Sequence, residues 1–327
     1  MKAAWFKSFG PAQNVIEVGE IASPTPIHGE VLVRMKTSGT NPSDIKKCAG
    51  AFPNLLDSGP VIPNSDGAGI IEAVGAGVPK SRIGQRVWVY QAQFGRSHGT
   101  AAQYLAIDAH RAVPLPDNTS FEVGACLGIP AMTAHRCVFA DGPVLDQVIL
   151  VTGGAGRVGY YAIQFAKFGG ATVIATASTA TGRQHCLDAG ADHVVNHREG
   201  DWHAQVLQIT AGRKLDRVVD VDFGSNLAQV LDMIRVGGVI ATYSSTVAEP
   251  QLPFRRMMFM DLTLRMVIVY AIPEAAKEAA IADITRYLTI GALLHRIGAV
   301  FPLERFADSN DAIEKGNIAG CVVVQID

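Results

Sequence analysis

A glycine-rich stretch, Gly153-Gly154-Ala155-Gly156-Arg157-Val158-Gly159, lies between the apolar run Val148-Ile-Leu-Val151 and an amphipathic segment. That segment puts Val158, Ala162, Phe165 and Ala166 on one helical face. The spacing Gly154-x-Gly156-x-x-Gly159 at a strand-to-helix turn suits a dinucleotide pyrophosphate. Gly154 allows the tight turn, Gly156 a close backbone approach to the phosphates, and Gly159 close packing of helix on strand. The phosphates would rest on unpaired N–H groups at the positive end of the helix. Arg157 in the first turn opposes the helix dipole, a cost that a bound anion reverses; an exposed arginine tolerating about a few tenths of a kcal/mol reads the same way. The next strand, Thr172-Val-Ile-Ala175, runs out through Ser178, Thr179 and Arg183, and no Asp or Glu occurs from Gln147 to Leu187. An acid about 20 residues past the first glycine would bond a ribose 2′-hydroxyl; hydroxyls followed by a cation suit a 2′-phosphate. NADPH is the expected cofactor.

Other chemistries lack their residues. Gly-x-Ser-x-Gly, His-Glu-x-x-His and Walker loops are absent, and no tyrosine has a lysine four residues on. The nine histidines stand at no metal-ligand spacing. The five cysteines (Cys48, Cys126, Cys137, Cys186, Cys321) include no Cys-x-x-Cys, which argues against a disulfide framework or a cysteine-clustered zinc site and fits a reducing compartment. No acid–base dyad stands out, as expected of hydride transfer, where the cofactor carries the chemistry.

These residues need elements to hold them. At 327 residues the chain has material for about two domains. With 48% hydrophobic and 18% charged residues it is too apolar for disorder, and a net charge of −2 offers no basic field for nucleic acid. The N-terminus has no signal-peptide core, and the apolar stretch 257–272 contains Asp261 and Arg265 and is too short for a bilayer. A cytoplasmic protein with no membrane partner is expected. The first 120 residues are short strand-like runs cut by Gly, Pro and Asn. From about Phe121 to Tyr270 strands alternate with helices, which predicts βαβ units and a parallel sheet. A helix over 274–289 follows, then strands at 299–301 and 321–326 that need the N-terminal sheet to join. A sheet edge near Val267–Ile272 suits a symmetric homodimer, with a tetramer as the larger alternative.

The whole pattern resembles the medium-chain dehydrogenase/reductase superfamily, and within it the zinc-free branch of zeta-crystallin-like NADPH:quinone oxidoreductases. The resemblance rests on Thr40-Asn-Pro-Ser-Asp44, Asp66-Gly-Ala-Gly-Ile-Ile-Glu-Ala-Val-Gly75, Gly128-Ile-Pro-Ala-Met-Thr-Ala134, the glycine loop, Gly190-Ala-Asp-His193 and Pro302-Leu-Glu-Arg-Phe306. It implies an α/β fold: a Rossmann-type parallel sheet domain (123–268) inserted into a GroES-like irregular β-barrel domain (1–122 plus 269–327). Zinc-dependent members carry Cys where this chain has Asn41, Gly-His-Glu where it has Asn64-Ser65-Asp66, and a four-cysteine lobe where Tyr90–Gly99 has none. No metal is therefore expected, and losing the Lewis acid points to an electron-poor acceptor, a quinone or other α,β-unsaturated carbonyl.

By the same resemblance Asn41 faces nicotinamide and substrate, Asp44 fixes its loop, and Thr133 lies near the nicotinamide. Gly156, Val158 and Gly159 frame the pyrophosphate; Ser178 and His197 lie on the adenosine side, with Arg183 as a neighbour. Ser244 follows the fifth strand, and Val267 to Tyr270, Val269 included, pass the carboxamide. Asn41 and Asp44 read equally as turn caps. The chain departs from the family at Lys46 and Phe52, where relatives carry aromatics beside the substrate, and at Gly320-Cys321, where they carry Gly-Lys. Two other readings stay open. An enoyl-thioester reductase would use cations such as Lys46, Lys47, Arg255 and Arg256; a non-catalytic, crystallin-like protein would bind NADPH without turnover.

Overall fold

Glycine, proline and asparagine keep the early strands short, and their alternation decides which side of each is buried. The computed structural model describes residues 1–316 and 318–326, in two units. The first comprises 1–129 together with the chain from 281 onward. Its sheet has seven strands, six of them in the order Ile297–Pro302, Cys321–Gln325, Glu30–Thr40, Asp66–Val74, Arg86–Val89, Ala112–Pro114. The seventh, Tyr104–Asp108, also pairs with Glu30–Thr40. The returning strand Cys321–Gln325 lies antiparallel to the end of Glu30–Thr40, Val322 opposite Thr40. Val31, Val33, Met35, Ile71, Leu105, Ile107 and Phe306 fill the core beneath. Each such side chain contributes about 1.5–3 kcal/mol when fully buried.

The second unit, 130–280, holds a six-stranded parallel sheet. Its order is His193–Val195, Thr172–Thr176, Val148–Val151, Leu215–Asp220, Ile234–Thr242, Thr263–Met266. Strand Val148–Val151 is buried throughout, as its unbroken Val-Ile-Leu-Val run requires in the middle of such a sheet. Strand order reverses between Val148–Val151 and Leu215–Asp220, so the crevice at their carboxyl ends is where this architecture takes ligands.

The compact units divide at 129/130 and 280/281, beside the expected bounds at 122/123 and 268/269. Residues 121–129 are tied to the first sheet: the Thr37 hydroxyl donates to the Phe121 carbonyl (2.6 Å), and the Ile129 N–H donates to Asp66 (2.8 Å). At the other boundary one continuous helix, Glu274–Thr289, crosses the division, and its far end is held by Asn118, which donates to the Leu288 carbonyl at 3.0 Å. The apolar stretch 257–272 is split between helix Phe254–Phe259, strand Thr263–Met266 and a turn at Val269–Ala271. Among the described residues no helix is long and apolar enough to cross a membrane.

Candidate active site

The glycine loop joins Val148–Val151 to helix Arg157–Phe168, with Gly156 at its N-cap. Its left-handed residue is Gly153 (φ +61°), one position before the expected Gly154. Gly154 is instead a packing position, where a Cβ would stand 2.8 Å from the Ala175 Cβ and 2.9 Å from the Cys186 Sγ. Gly159 allows the close packing expected: a Cβ there would lie 2.3 Å from the Gly153 carbonyl oxygen. At Gly156 a Cβ would meet only the Gly153 carbonyl oxygen, at 3.0 Å. That residue presents bare backbone at the head of the helix, with half-buried Arg157 and Val158 next in its first turn. The first turn of a helix is where an anion is best received.

Beside the loop lies a cavity of about 280 Å³, lined by Thr152, Gly153, Thr176, His197, Trp202 and Asp222 among others. His197 thus lines this cavity two residues after strand His193–Val195. Asp222, an acid outside the stretch searched in sequence, is committed elsewhere: its carboxylate accepts the N–H and hydroxyl of Thr246, both at 2.7 Å. Thr179 caps helix Ala180–Asp188, its hydroxyl accepting the Gly182 N–H at 3.0 Å, and half-buried Ser178 stands one residue before it. The Arg183 guanidinium donates to the Val194 carbonyl. A second cavity of about 320 Å³ gathers Ser244, Val267 and Tyr243. Val269 is buried in the turn after them and does not line it with them. Thr133 is buried on helix Met132–Phe139.

In the first unit Asn41 is the N-cap of helix Pro42–Cys48, where Asp44 accepts its backbone N–H at 2.9 Å. The turn-capping reading thus holds for Asp44. Asn41 has a further bond: its Nδ2 donates to Asp66 Oδ2 at 2.9 Å. Lys47, read in sequence as solvated surface or a thioester-tail cation, is neither. It is buried, with its Nζ 3.8 Å from Asp44 Oδ1 and donating to the Gln93 carbonyl (2.9 Å) and Ser65 Oγ (3.3 Å). Burial pushes the Asp44 carboxyl up and the Lys47 ammonium down, each opposed by the other's charge. Burial pushes Asp66 up to about 8, the Ile129 N–H opposing and the Asp44 charge reinforcing. The expectation that no acid–base grouping exists is corrected here: two carboxyls and an ammonium share a buried pocket with Asn41. Lys46 and Phe52 are exposed. Among the described residues no three His, Cys, Asp or Glu side chains are placed to hold a metal ion.

Residues 27–117 match the family model of the alcohol dehydrogenase GroES-like domain, and 158–286 that of the zinc-binding dehydrogenases. The quinone oxidoreductase of Pongo abelii is 30% identical over 97% of this chain and 95% of its own length. The chain belongs to the quinone oxidoreductase family. It is an enzyme of the medium-chain dehydrogenase/reductase superfamily, with the GroES-like and Rossmann-type parts that the sequence implied. Two solved structures match it over the full length of both chains: an NAD-dependent alcohol dehydrogenase (28% identity, TM-score 0.87) and a mycobacterial protein complexed with NADPH (26%, 0.88). In this quinone oxidoreductase family member the Asn41 carboxamide donates to Asp66, and the Lys47 Nζ donates to Ser65 beside them.

Proposed function

We propose that this enzyme uses NADPH to reduce a quinone or another α,β-unsaturated carbonyl, without a metal. The observation that carries the reading is the filled pocket around Asn41, in which the Lys47 ammonium is the resident cation. With no Lewis acid to polarise a simple carbonyl, the acceptor has to be electron-poor in itself. Bound NADPH supplies the hydride. The chain's own part is to hold and to orient: Gly156, Arg157 and Val158 hold the pyrophosphate, and Ser178, Arg183 and His197 the adenosine end, with Gly154 and Gly159 letting the loop and helix pack closely beneath the phosphates. Ser244 and Val267 serve the carboxamide, with Val269 in the buried turn behind them and Thr133 near the nicotinamide. The Asn41 nitrogen carries two hydrogens, one of them on Asp66, and its carboxamide presents hydrogen-bonding capacity to the acceptor's carbonyl oxygen.

NADPH rather than NADH follows from the acid-free strand end at Ser178 and from Asp222, whose carboxylate is spent on Thr246. Of the cations that a thioester tail would want, Lys47 is buried and Arg256 is paired with Asp232 (2.6 Å), which disfavours the enoyl-thioester reading. The five cysteines are buried and none is in a disulfide, in keeping with a reducing, cytoplasmic setting. Purified protein assayed with NADPH and a simple quinone, beside NADH and beside crotonyl-CoA, decides the matter. Quinone-dependent NADPH oxidation that survives a strong chelator is the expected result. Activity only with crotonyl-CoA, or only with stoichiometric zinc, overturns the reading; NADPH binding with no turnover on any acceptor leaves a non-catalytic binder.

A further inference from the structure

We propose that Asp66 is a positioning residue of this reduction, one of its oxygens fixing the Asn41 carboxamide and the turn at Leu127–Ala131 together. The inference rests on the metal-free reading above and names a residue behind the one placed at the acceptor. Asp66 Oδ2 receives two N–H bonds, from Asn41 Nδ2 at 2.9 Å and from the Ile129 backbone at 2.8 Å. The residue is wholly buried. Its other oxygen accepts no hydrogen bond and is wedged against Gly128, where a Cβ would stand 2.1 Å from it. The carboxyl therefore cannot swing away from Asn41. Residue 128 has to be glycine for the carboxyl to be there at all.

The backbone beneath is equally fixed. The Asp66 carbonyl accepts the Thr100 hydroxyl at 2.6 Å, Thr100 meets the Ser38 hydroxyl at 2.7 Å, and Asp66 stands opposite Gly39 in the sheet. Asn64 donates to Ser38 (2.9 Å) and Thr40 (3.1 Å), closing the layer. Leu127–Ala131 is a single π-helical turn with Pro130 inside it, a conformation found mostly at functional sites. Pro130 has no N–H of its own to give. The Ile129 N–H is thus the last backbone donor before it, and Asp66 takes it. Both bonds ask only for an accepting oxygen, so a carboxamide oxygen at position 66 can serve in place of the carboxyl.

Two substitutions separate this role from general support of the fold. Asp66→Asn keeps the acceptor; Gly128→Ala keeps every polar group but displaces the carboxyl. With NADPH and a quinone, Asp66→Asn is expected to stay within about threefold of the unaltered enzyme, whereas Gly128→Ala loses about 30-fold in kcat, the scale of a misplaced orienting group. The fluorescence-measured Kd for NADPH should stay within about twofold in both, since the cofactor's phosphates are held by the glycine loop. Gly128→Ala at full turnover, or Asp66→Asn as impaired as Gly128→Ala, overturns the positioning role alone. An unaltered enzyme that reduces no quinone overturns both the role and the reading beneath it.

Discussion

Burial gives Asp66 a signature in stability as well as in turnover. Its carboxyl is pushed up to about 8 in the fold, against 3.8 for a free side chain. Between those values the native protein holds a proton that the unfolded chain has released. The part of the stability that Asp66 contributes is therefore greatest below about pH 4, falls as pH rises toward 8, and then levels off. Asp66→Asn removes the titration, so its Tm should match the unaltered protein near pH 4 and exceed it increasingly up to pH 8. Thermal melts across that range check this, and two parallel curves would discount the buried proton. Asn41 and Asp44 were legible from Asn-Pro-Ser-Asp alone. Lys47 had a signal that went unused: it lies three residues after Asp44, on the same side of one helical turn, where opposite charges meet. Asp66 had none, because its partners Asn41 and Ile129 are 25 and 63 residues away and only the folded sheet brings them together.

At the scale of elements, the glycine loop and the strands around it were legible because their pattern is local. Val148–Val151, His193–Val195 and helix Glu274–Thr289 lie where periodicity puts them. The loop's left-handed residue was misplaced by one, since Gly153 and Gly154 look alike until Ala175 and Cys186 are seen packed against the second. Between the two units a π-helical turn and a shared helix carry the chain across without a break in composition. The strand end before helix Ala180–Asp188 yields a test of cofactor choice. Thr179 is occupied as the cap, and Ser178 before it is the position we propose for a ribose 2′-group. Ser178→Asp should weaken NADPH and strengthen NADH, each by roughly 10-fold, through repulsion of the phosphate and bonding of the free hydroxyl. Fluorescence titration of both cofactors measures it; an unchanged ratio would move the 2′-phosphate away from this strand end.

The molecule as a whole carries an unfinished edge. Strand Thr263–Met266 closes the parallel sheet with only one neighbour, Ile234–Thr242, and its outward row of backbone groups is a template for another strand. The strand and the helix just before it expose large apolar side chains among their arginines: Phe254 and Phe259 are each 71% exposed and Met266 67%. A net charge of −2 puts little repulsion between copies. A twofold axis beside this strand would join two sheets and bury the three side chains against their own symmetry mates, which is how one self-complementary patch makes a closed dimer. We therefore expect a homodimer at micromolar concentration by light scattering on a sizing column. Phe254→Glu combined with Phe259→Glu should shift it to monomer while leaving the NADPH site of each chain intact. A monomeric unaltered protein, or a dimer indifferent to both charges, would mean that this edge is covered by something other than a second copy.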